Sequence, residues 1–220
     1  MDERERALRI LQLLREAYPG VKGTALNFRT PLELLVATIL AAQCTDEKVN
    51  EVAKELFKKY RTAKDFAEAD LSELEKDVKP TGFFRVKAQR IKQICQTLVC
   101  EYGSEVPRTM EDLTKLNGVA RKTANIVLSN SYDVVEGIAV DTHVMRLSQR
   151  LGLSKQKDRN KIERDLMELM PRENWFEVNH LLIEHGRRTC TAKKPLCKTC
   201  VVEELCPSAE NFLKSGKNGS

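Results

Sequence analysis

Four cysteines stand close together near the end of the chain, and they constrain the fold of that segment more than any other sequence feature. Their spacing is Cys190-x6-Cys197-x2-Cys200-x5-Cys206. The surrounding residues, TCTAKKPLCKTC, are polar and rich in lysine, so there is little core for four unrelated buried cysteines to join. Four thiolates in one short segment suit either tetrahedral zinc or an iron–sulfur cluster.

The spacing favours the iron–sulfur cluster and leaves zinc open. Zinc ribbons usually carry two separate C-x2-C pairs, whereas this chain has one such pair, Cys197 and Cys200. Cys190 and Cys206 lie on arms of unequal length, as expected when four thiolates surround a cubane rather than one ion.

Basic residues accompany these cysteines. Lys193 and Lys194 lie between the first two of them, and Arg187, Arg188 and Lys198 lie nearby. Cations on a loop that a metal holds rigid can stabilise negative thiolates and contact the phosphates of a nucleic acid. The alternative is a charged loop that only faces solvent.

The rest of the chain shows helical periodicity, and few segments alternate with period two, so we expect an all-α protein. Thr30, Pro31 and Glu33 predict a capped helix start before the apolar run LLVATILAA. The predicted helices cover residues 3–17, 31–42, 46–60, 70–78, 85–102, 109–115, 121–130, 141–151, 158–170 and 174–186.

Composition limits the class of protein. The 220 residues are 41% hydrophobic and 31% charged, with no apolar run near the roughly 20 residues that span a bilayer. The charged N-terminus, MDERERALRI, is unlike a secretory signal, so we expect a cytoplasmic protein that does not enter a membrane. A net charge of +5 permits a polyanionic partner without requiring one. Cys44, Cys95 and Cys100 are predicted to be small core residues.

A tight turn between two helices follows the middle of the chain. In DLTKLNGVARKTANIV (112–127), the segment from Asn117 to Ala120 is predicted to turn, and a second helix to begin near Arg121. Gly118 allows a sharp turn and leaves its N–H open, and the N–H groups at the start of the second helix form an anion site. The pattern is that of a helix–hairpin–helix, although an ordinary helical hairpin would read the same way.

Two ionisable residues at predicted helix starts are candidates for catalytic roles. Lys122 lies at the positive end of the second helix beside Arg121, which favours the neutral amine that can attack carbon, although most such lysines are only solvated. Asp141 in IAVDTHVMR is predicted to cap the next helix, and a carboxylate there can also stabilise a cationic sugar or move protons.

Taken together, LNGVARKTANIV (116–127), VDTH (140–143) and the cysteine spacing resemble the endonuclease III family of helix–hairpin–helix base-excision glycosylases. The resemblance covers about residues 5–212. It includes LLVATILAAQCTD (34–46) and GFFRVKA (82–88), which match the family's two DNA-penetrating segments. The lysine, the aspartate and the four cysteines in this order are much more specific together than any of them alone.

The resemblance implies a two-lobed helix–hairpin–helix DNA glycosylase fold. Residues 25–135 would form a six-helix barrel, and residues 1–24 and 136–212 a discontinuous domain with the iron–sulfur cluster. The composition of the C-terminal end, GKNGS, separately predicts a disordered tail over residues 213–220. DNA would cross the groove between the lobes, with Lys122 and Asp141 facing each other at its mouth. The protein would be a monomer that acts on double-stranded DNA containing damaged bases or abasic sites.

The resemblance also implies roles for individual residues. Lys122 would attack the sugar and Asp141 would stabilise its positive charge, in a glycosylase and abasic-site lyase for oxidised pyrimidines. Gln43 would fill the space of the flipped nucleotide, and Phe83 would wedge into the opposite strand. The alternatives are a helix-capping residue for Gln43 and a core aromatic for Phe83. The remaining implied DNA contacts are Gly118, Ala120, Arg121, Lys193 and Lys194. The implied ligands of a 4Fe–4S cluster are Cys190, Cys197, Cys200 and Cys206.

Three departures from the family pattern bear on DNA contact rather than chemistry. The family hairpin usually reads LPGVGRKTA, and here Asn117 replaces the proline and Ala120 the second glycine. The Ala120 methyl group stands where backbone would meet phosphate. The serine often found before Ala-Gln is an alanine here, and Phe83 replaces an aliphatic wedge.

Other classes of protein fit less well. An adenine glycosylase would carry a catalytic glutamate near Ala37 and no lysine at position 122, and a thymine mismatch glycosylase would also lack that lysine. A non-catalytic DNA-binding or redox-sensing protein that uses the cluster is the alternative from a different class.

Overall fold

The chain is described by a computed structural model that covers residues 1–21 and 23–215. All the regular secondary structure in this part of the chain is helical, which confirms the predicted all-α class. The chain separates into two compact units: unit 1 is Met1–Gly23 with Gly137–Ser220, and unit 2 is Thr24–Glu136. Within the described residues, no helix combines the length and the apolarity that crossing a bilayer demands.

Unit 2 is a helical body around one apolar core. Its helices are α2 (Pro31–Leu40), α3 (Asp46–Lys59), α4 (Ala63–Glu68), α5 (Leu71–Val78), α6 (Phe84–Glu101), α7 (Met110–Lys115) and α8 (Arg121–Ser131). A 3₁₀ turn over Lys79–Thr81 connects α5 to α6. Helix α6 packs against α4 and α5, while α8 packs against α2 and α7. The central helix α2 is buried along almost its whole length, from Leu34 to Leu40.

Threonine and aspartate side chains fix the starts of most helices in unit 2. Thr30 Oγ1 accepts a hydrogen bond from the Glu33 N–H at 3.2 Å, as the predicted cap requires. The second half of the predicted capping box is wrong, because the Glu33 carboxylate accepts from the Arg29 N–H instead, at 2.6 Å. Helix α2 also ends at Leu40, two residues before the predicted end, since the next residues form the turn that leads to α3.

Unit 1 combines the N-terminal helix with the last third of the chain. Its helices are α1 (Glu3–Ala17), α9 (Thr142–Arg150), α10 (Arg159–Leu169), α11 (Trp175–Arg188) and α12 (Ala209–Ser215). Ala7, Ile10, Leu11 and Leu14 of α1 are buried in the same apolar core as residues 138–202, which is why this unit is discontinuous in sequence. Helix α11 packs against α9 and α1.

Several elements differ from their predictions. Helices α4 and α12, each shorter than two full turns, were not predicted, because so few residues show little apolar periodicity. Residues 213–215, predicted to start a disordered tail, are the last residues of α12, while 216–220 lie outside the described residues. Of the three scattered cysteines, Cys95 is buried as predicted, Cys44 is half-buried, and Cys100 is exposed rather than in the core.

Candidate functional site

The predicted hairpin is a tight turn between α7 and α8. The Val119 N–H donates to the Leu116 carbonyl at 3.0 Å, and Gly118 between them has φ +83°. A positive φ at the third of four residues is the geometry of a type II turn, which glycine adopts without strain. Asn117, where the family has proline, anchors the turn by donating its amide N–H to Gln93 Oε1 of α6 at 3.0 Å.

Helix α8 begins directly after this turn without a capping side chain. Ala120 occupies the N-cap position with extended backbone and makes no side-chain hydrogen bond there. Arg121 and Lys122 are the first two residues of the helix and are both half-buried. Ala124, Val127 and Leu128 are buried, which fixes the helix against the core. The start of α8 is therefore a rigid platform that carries Lys122, with no capping side chain at its positive end.

Asp141 begins α9 in unit 1, where its predicted role as an N-cap is confirmed. Its Oδ1 accepts hydrogen bonds from the His143 and Val144 N–H groups at 2.7 and 2.8 Å. Its Oδ2 lies 3.3 Å from His143 Nδ1. The side chain retains 20% of its exposure, so the carboxylate is held in one orientation while part of it still reaches the surface.

Gln43 and Phe83 share an unusual backbone conformation. Both are non-glycine residues in the left-handed region, with φ of +54° and +49°. Phe83 is 64% exposed, so the alternative of a core aromatic is wrong. Gln43 is also exposed and caps no helix, because Thr45 is the N-cap of α3. Such backbone strain costs on the order of 1–3 kcal/mol and persists where the surrounding structure fixes it.

The four clustered cysteines line one cavity in unit 1. Cys190, Cys197, Cys200 and Cys206 are all free of disulfides, and they line a small, mainly apolar cavity that opens to solvent. The other walls include Leu151, Pro195 and Ala209. In the described part of the chain, no three His, Cys, Asp or Glu side chains are arranged to hold a metal ion. The cysteines thus share a cavity without converging on one point.

Hydrogen bonds fix the sulfur atoms around this cavity. Arg150 donates to Cys190 Sγ at 3.3 Å, and the Cys206 thiol donates to the Arg150 carbonyl at 3.4 Å. His185 Nε2 lies 3.6 Å from Cys200 Sγ, and burial lowers the pKa of His185 to about 4, which keeps the imidazole neutral. Arg150 and His185 carry no signal in the sequence, because an arginine and a histidine on amphipathic helices are usually surface residues.

The chemistry of these thiols matches a site that receives a cationic group. Burial raises the pKa of Cys197, Cys200 and Cys206, and repulsion between neighbouring thiolates raises it further. Arg150 opposes this shift at Cys197 and Cys206, but one guanidinium cannot neutralise four thiolates. Buried, neighbouring thiols of this kind are typical of metal ligands, because the positive charge of a bound metal stabilises their thiolates.

The loop after Cys190 is fixed through its backbone while its lysines face solvent. Arg150 donates to the Thr191 and Ala192 carbonyls at 2.8 Å each. Thr191 Oγ1 donates to the Lys194 carbonyl at 2.7 Å. Lys193 and Lys194 are exposed. Their positive charges therefore project from a backbone that side-chain hydrogen bonds hold in place.

Comparisons with known proteins agree with this arrangement. Residues 36–172 match the family described as the HhH-GPD superfamily of base excision DNA repair proteins. The chain is 50% identical over 208 residues to an endonuclease III of Synechocystis, which covers 94% of each protein. It is 44% identical over 187 residues to an endonuclease III of Bacillus subtilis, covering 84% of this chain and 85% of that one. A solved structure of a trapped endonuclease III–DNA covalent intermediate superposes with a TM-score of 0.92 at 41% identity, covering 97% of this chain and all of that one. The chain therefore belongs to the endonuclease III family of HhH-GPD base excision repair proteins, as a DNA glycosylase with lyase activity.

Proposed function

We propose that this protein removes oxidised pyrimidines, such as thymine glycol, from double-stranded DNA and then cuts the strand 3′ of the abasic site by β-elimination. The observation that carries the proposal is Lys122, a half-buried lysine at the start of a helix directly after the hairpin turn. A helix N-terminus disfavours a cation, so a lysine there has the environment of a nucleophile rather than of a surface charge.

The proposed reaction passes through a covalent bond to this lysine. A flipped nucleotide exposes C1′ of its sugar. The neutral Nζ of Lys122 attacks C1′ while the glycosidic bond breaks, and the base leaves with the bonding electrons and takes up a proton. The sugar ring opens to a protonated imine. Loss of a 2′ proton then expels the 3′ phosphate, and hydrolysis of the imine returns the amine.

Asp141 has a separate part in the proposal. Its carboxylate would stabilise the positive charge that develops on the sugar and would help to move protons during base departure. The two backbone donors on Oδ1 fix its orientation, so the charge is supplied without reorganisation at the moment of reaction. Lys122 belongs to unit 2 and Asp141 to unit 1.

The DNA contacts in the proposal use backbone and cations. The backbone N–H groups of Gly118 and Ala120 and the side chain of Arg121 would bind a phosphate, and Lys193 and Lys194 would bind others. Gln43 would occupy the space left by the flipped nucleotide, and Phe83 would wedge into the opposite strand. The partner would be duplex DNA with damaged bases or abasic sites, bound by a monomer in the cytoplasm, in association with the nucleoid.

We further propose that Cys190, Cys197, Cys200 and Cys206 hold a 4Fe–4S cluster. A zinc ion would need all four sulfur atoms at about 2.3 Å from one centre. A cubane instead takes each sulfur at a separate iron, which suits four thiols spread around a cavity. When bound, the cluster would tie the four cysteines together and so stiffen the basic loop between Cys190 and Cys197, apart from the base-excision chemistry. Iron and sulfide analysis with visible absorption spectroscopy distinguishes it from zinc.

Borohydride trapping on duplexes with thymine glycol or an abasic site tests the nucleophile. The wild-type protein should form a covalent adduct, Lys122→Ala should form none, and Lys115→Ala should match the wild type. Lys115 is a suitable control because it lies at the end of α7 and already pairs with Glu111 and Asp112 at 3.0 Å. DNA binding by the wild type without adduct or strand cutting would instead support the non-catalytic alternative.

Asp141→Asn tests the carboxylate without removing the helix cap. Asparagine caps a helix about as well as aspartate, so the free energy of unfolding should change by only a few tenths of a kcal/mol. Base release should fall by about 10²-fold or more, the usual range for losing such a group. Full activity in Asp141→Asn would restrict this residue to its capping role.

A further inference from the structure

A buried lysine lies beneath the two loops that carry the strained side chains. Lys87, in the first turn of α6, is only 4% exposed. Its Nζ donates to two backbone carbonyls, those of Leu40 and Thr81, each at 2.7 Å. These two residues are 41 positions apart in the chain (81 − 40), so one ammonium group joins two otherwise separate segments.

Each of these carbonyls stands at the end of a helical element. Leu40 is the last residue of α2, and Thr81 is the last residue of the 3₁₀ turn. Carbonyls at such positions lack an intrahelical partner and need another donor. Gln43 follows Leu40 by three residues, and Phe83 follows Thr81 by two. The two hydrogen bonds therefore fix the backbone just before each of the two left-handed residues.

A charged donor at this place is costly unless both bonds form. Taking an ammonium out of water disfavours it, and burial lowers the pKa of Lys87, although the neighbouring Cys44 opposes that shift. An apolar side chain would fill the same space without this penalty, but it would leave two buried carbonyls unpaired. A lysine at this position therefore connects the two segments through hydrogen bonds, which an apolar side chain of similar size would not do.

We propose that Lys87 is a positioning residue that locks the Gln43 loop (residues 41–45) to the Phe83 loop (residues 81–83), so that both side chains meet DNA at a fixed separation. The locking stands on the structure of unit 2 alone. Its consequence for DNA rests on the proposed function, because Gln43 and Phe83 act together only if they enter one duplex around a flipped nucleotide. Insertion of the two side chains into DNA then depends on the distance between the loops, because small displacements of positioned groups lower the reaction rate.

The same helix supplies a matched control. Lys92 also lies in α6 and also donates its Nζ to two carbonyls, those of Ala67 and Ala69, at 2.9 and 2.5 Å. Those carbonyls belong to the end of α4 and the residues after it, away from both loops in sequence. Lys87→Met and Lys92→Met therefore remove equivalent bonds from one helix, and only the first concerns the proposed lock.

Hydrogen exchange tests the lock without DNA. In Lys87→Met, amide exchange in the Gln43 and Phe83 loops should accelerate by about tenfold, the effect of losing a buried hydrogen-bonded pair. The hairpin at 116–120 should be unchanged. Lys92→Met should accelerate exchange only near residues 67–70. If Lys87→Met does not fold, Lys87→Gln, which keeps a shorter donor, should show the same localised effect. Unchanged loops in a folded Lys87 variant, or equal loosening by Lys92→Met, would overturn the proposal.

Single-turnover kinetics test the consequence for DNA. Release of thymine glycol from a paired duplex by Lys87→Met should slow by about tenfold to a hundredfold. Cutting at a preformed abasic site, which is easier to extrude, should stay within about threefold of the wild type. Equal losses on both substrates would indicate general damage and reject the positioning role. If the wild type itself releases no thymine glycol, the proposed function fails, and the exchange experiment alone decides whether the lock exists.

Discussion

The hairpin turn yields a quantitative prediction, because Gly118 is constrained in two independent ways. Its φ is +83°, and a Cβ atom added to it would lie 2.4 Å from Nε and 2.6 Å from Cδ of Arg90. An alanine there adopts a left-handed conformation at a cost of about 1–2 kcal/mol, partly offset by its less flexible unfolded state. Moving Arg90 from its rotamer adds about 0.5–1.5 kcal/mol. Gly118→Ala should therefore destabilise the protein by about 2 kcal/mol.

Gly103 separates the two contributions. It has φ +58° and nothing within 4 Å of an added Cβ, so Gly103→Ala reports backbone strain alone and should cost about 1 kcal/mol. Gly118→Ala in an Arg90→Ala background should cost the same as Gly103→Ala, because the obstructing side chain is gone.

Urea unfolding followed by far-ultraviolet circular dichroism is the appropriate measurement for these variants. Trp175 is the single tryptophan and lies in unit 1, so its fluorescence does not report on the hairpin of unit 2. The reasoning is refuted if Gly118→Ala costs no more than Gly103→Ala, or if removing Arg90 leaves the cost of Gly118→Ala unchanged. In either case, contact with Arg90 would not be what requires glycine at this turn.

Three further predictions concern unit 1. Tyr18→Phe should lower the free energy of unfolding by about 1–3 kcal/mol, because the Tyr18 hydroxyl lies 2.9 Å from both His185 Nδ1 and a threonine hydroxyl. Urea unfolding followed by tryptophan fluorescence measures this change, and an unchanged midpoint would contradict it. Burial lowers the pKa of His180 from 6.5 to about 4, so the unfolded chain binds a proton first as the pH falls. The stabilisation by the neutral imidazole is complete above pH 6.5 and is lost towards pH 4. Between pH 7 and pH 5 the free energy of unfolding of the wild type should therefore fall by about 2 kcal/mol more than that of His180→Gln. Parallel pH profiles of the two proteins would show that His180 is not the cause. Lys193→Ala with Lys194→Ala should weaken binding to all DNA sequences alike and reduce the slope of log affinity against log salt by about 2, and an unaltered slope would remove both lysines from the phosphate contacts.

The sequence predicted most helices to within a residue or two, for physical reasons that the structure makes visible. The helix of residues 3–17 has apolar residues at helical spacing and Asp2 as a cap, so periodicity and capping agree. Helix α8 was predicted from the glycine turn before it and its apolar face. Helix α4 was missed, because its six residues carry little periodicity and no turn motif follows them, whereas the equally short α7 was predicted ahead of the glycine turn. Local signals therefore suffice where a helix is long and capped.

The sequence could not predict contacts that depend on distant parts of the chain. Lys87 resembles a solvated lysine in a helical pattern, and only tertiary packing reveals it as buried beneath two loops. Arg150 likewise bonds to a loop some 40 positions later. The cysteine spacing indicated a shared site, yet it held no information on the histidine and arginine that orient two of the sulfur atoms. Sequence motifs therefore indicate the candidate functional residues, whereas the residues that orient them become visible only in the folded structure.

The starts of the helices in unit 2 connect these observations to function. Five of the seven have a side-chain cap, supplied by Thr30, Thr45, Thr62, Asp70 and Thr109. The two that lack one, α6 and α8, have Phe83 and Ala120 at their N-cap positions, both among the proposed DNA contacts. A missing cap costs roughly 1 kcal/mol, so a start without a capping side chain lowers stability unless a ligand takes its place. A phosphate can take the place of the cap at α8, and the lock at Lys87 can compensate at α6 by fixing the turn before it. The two helix starts in unit 2 that lack a capping side chain are thus the two that the proposed function places against DNA.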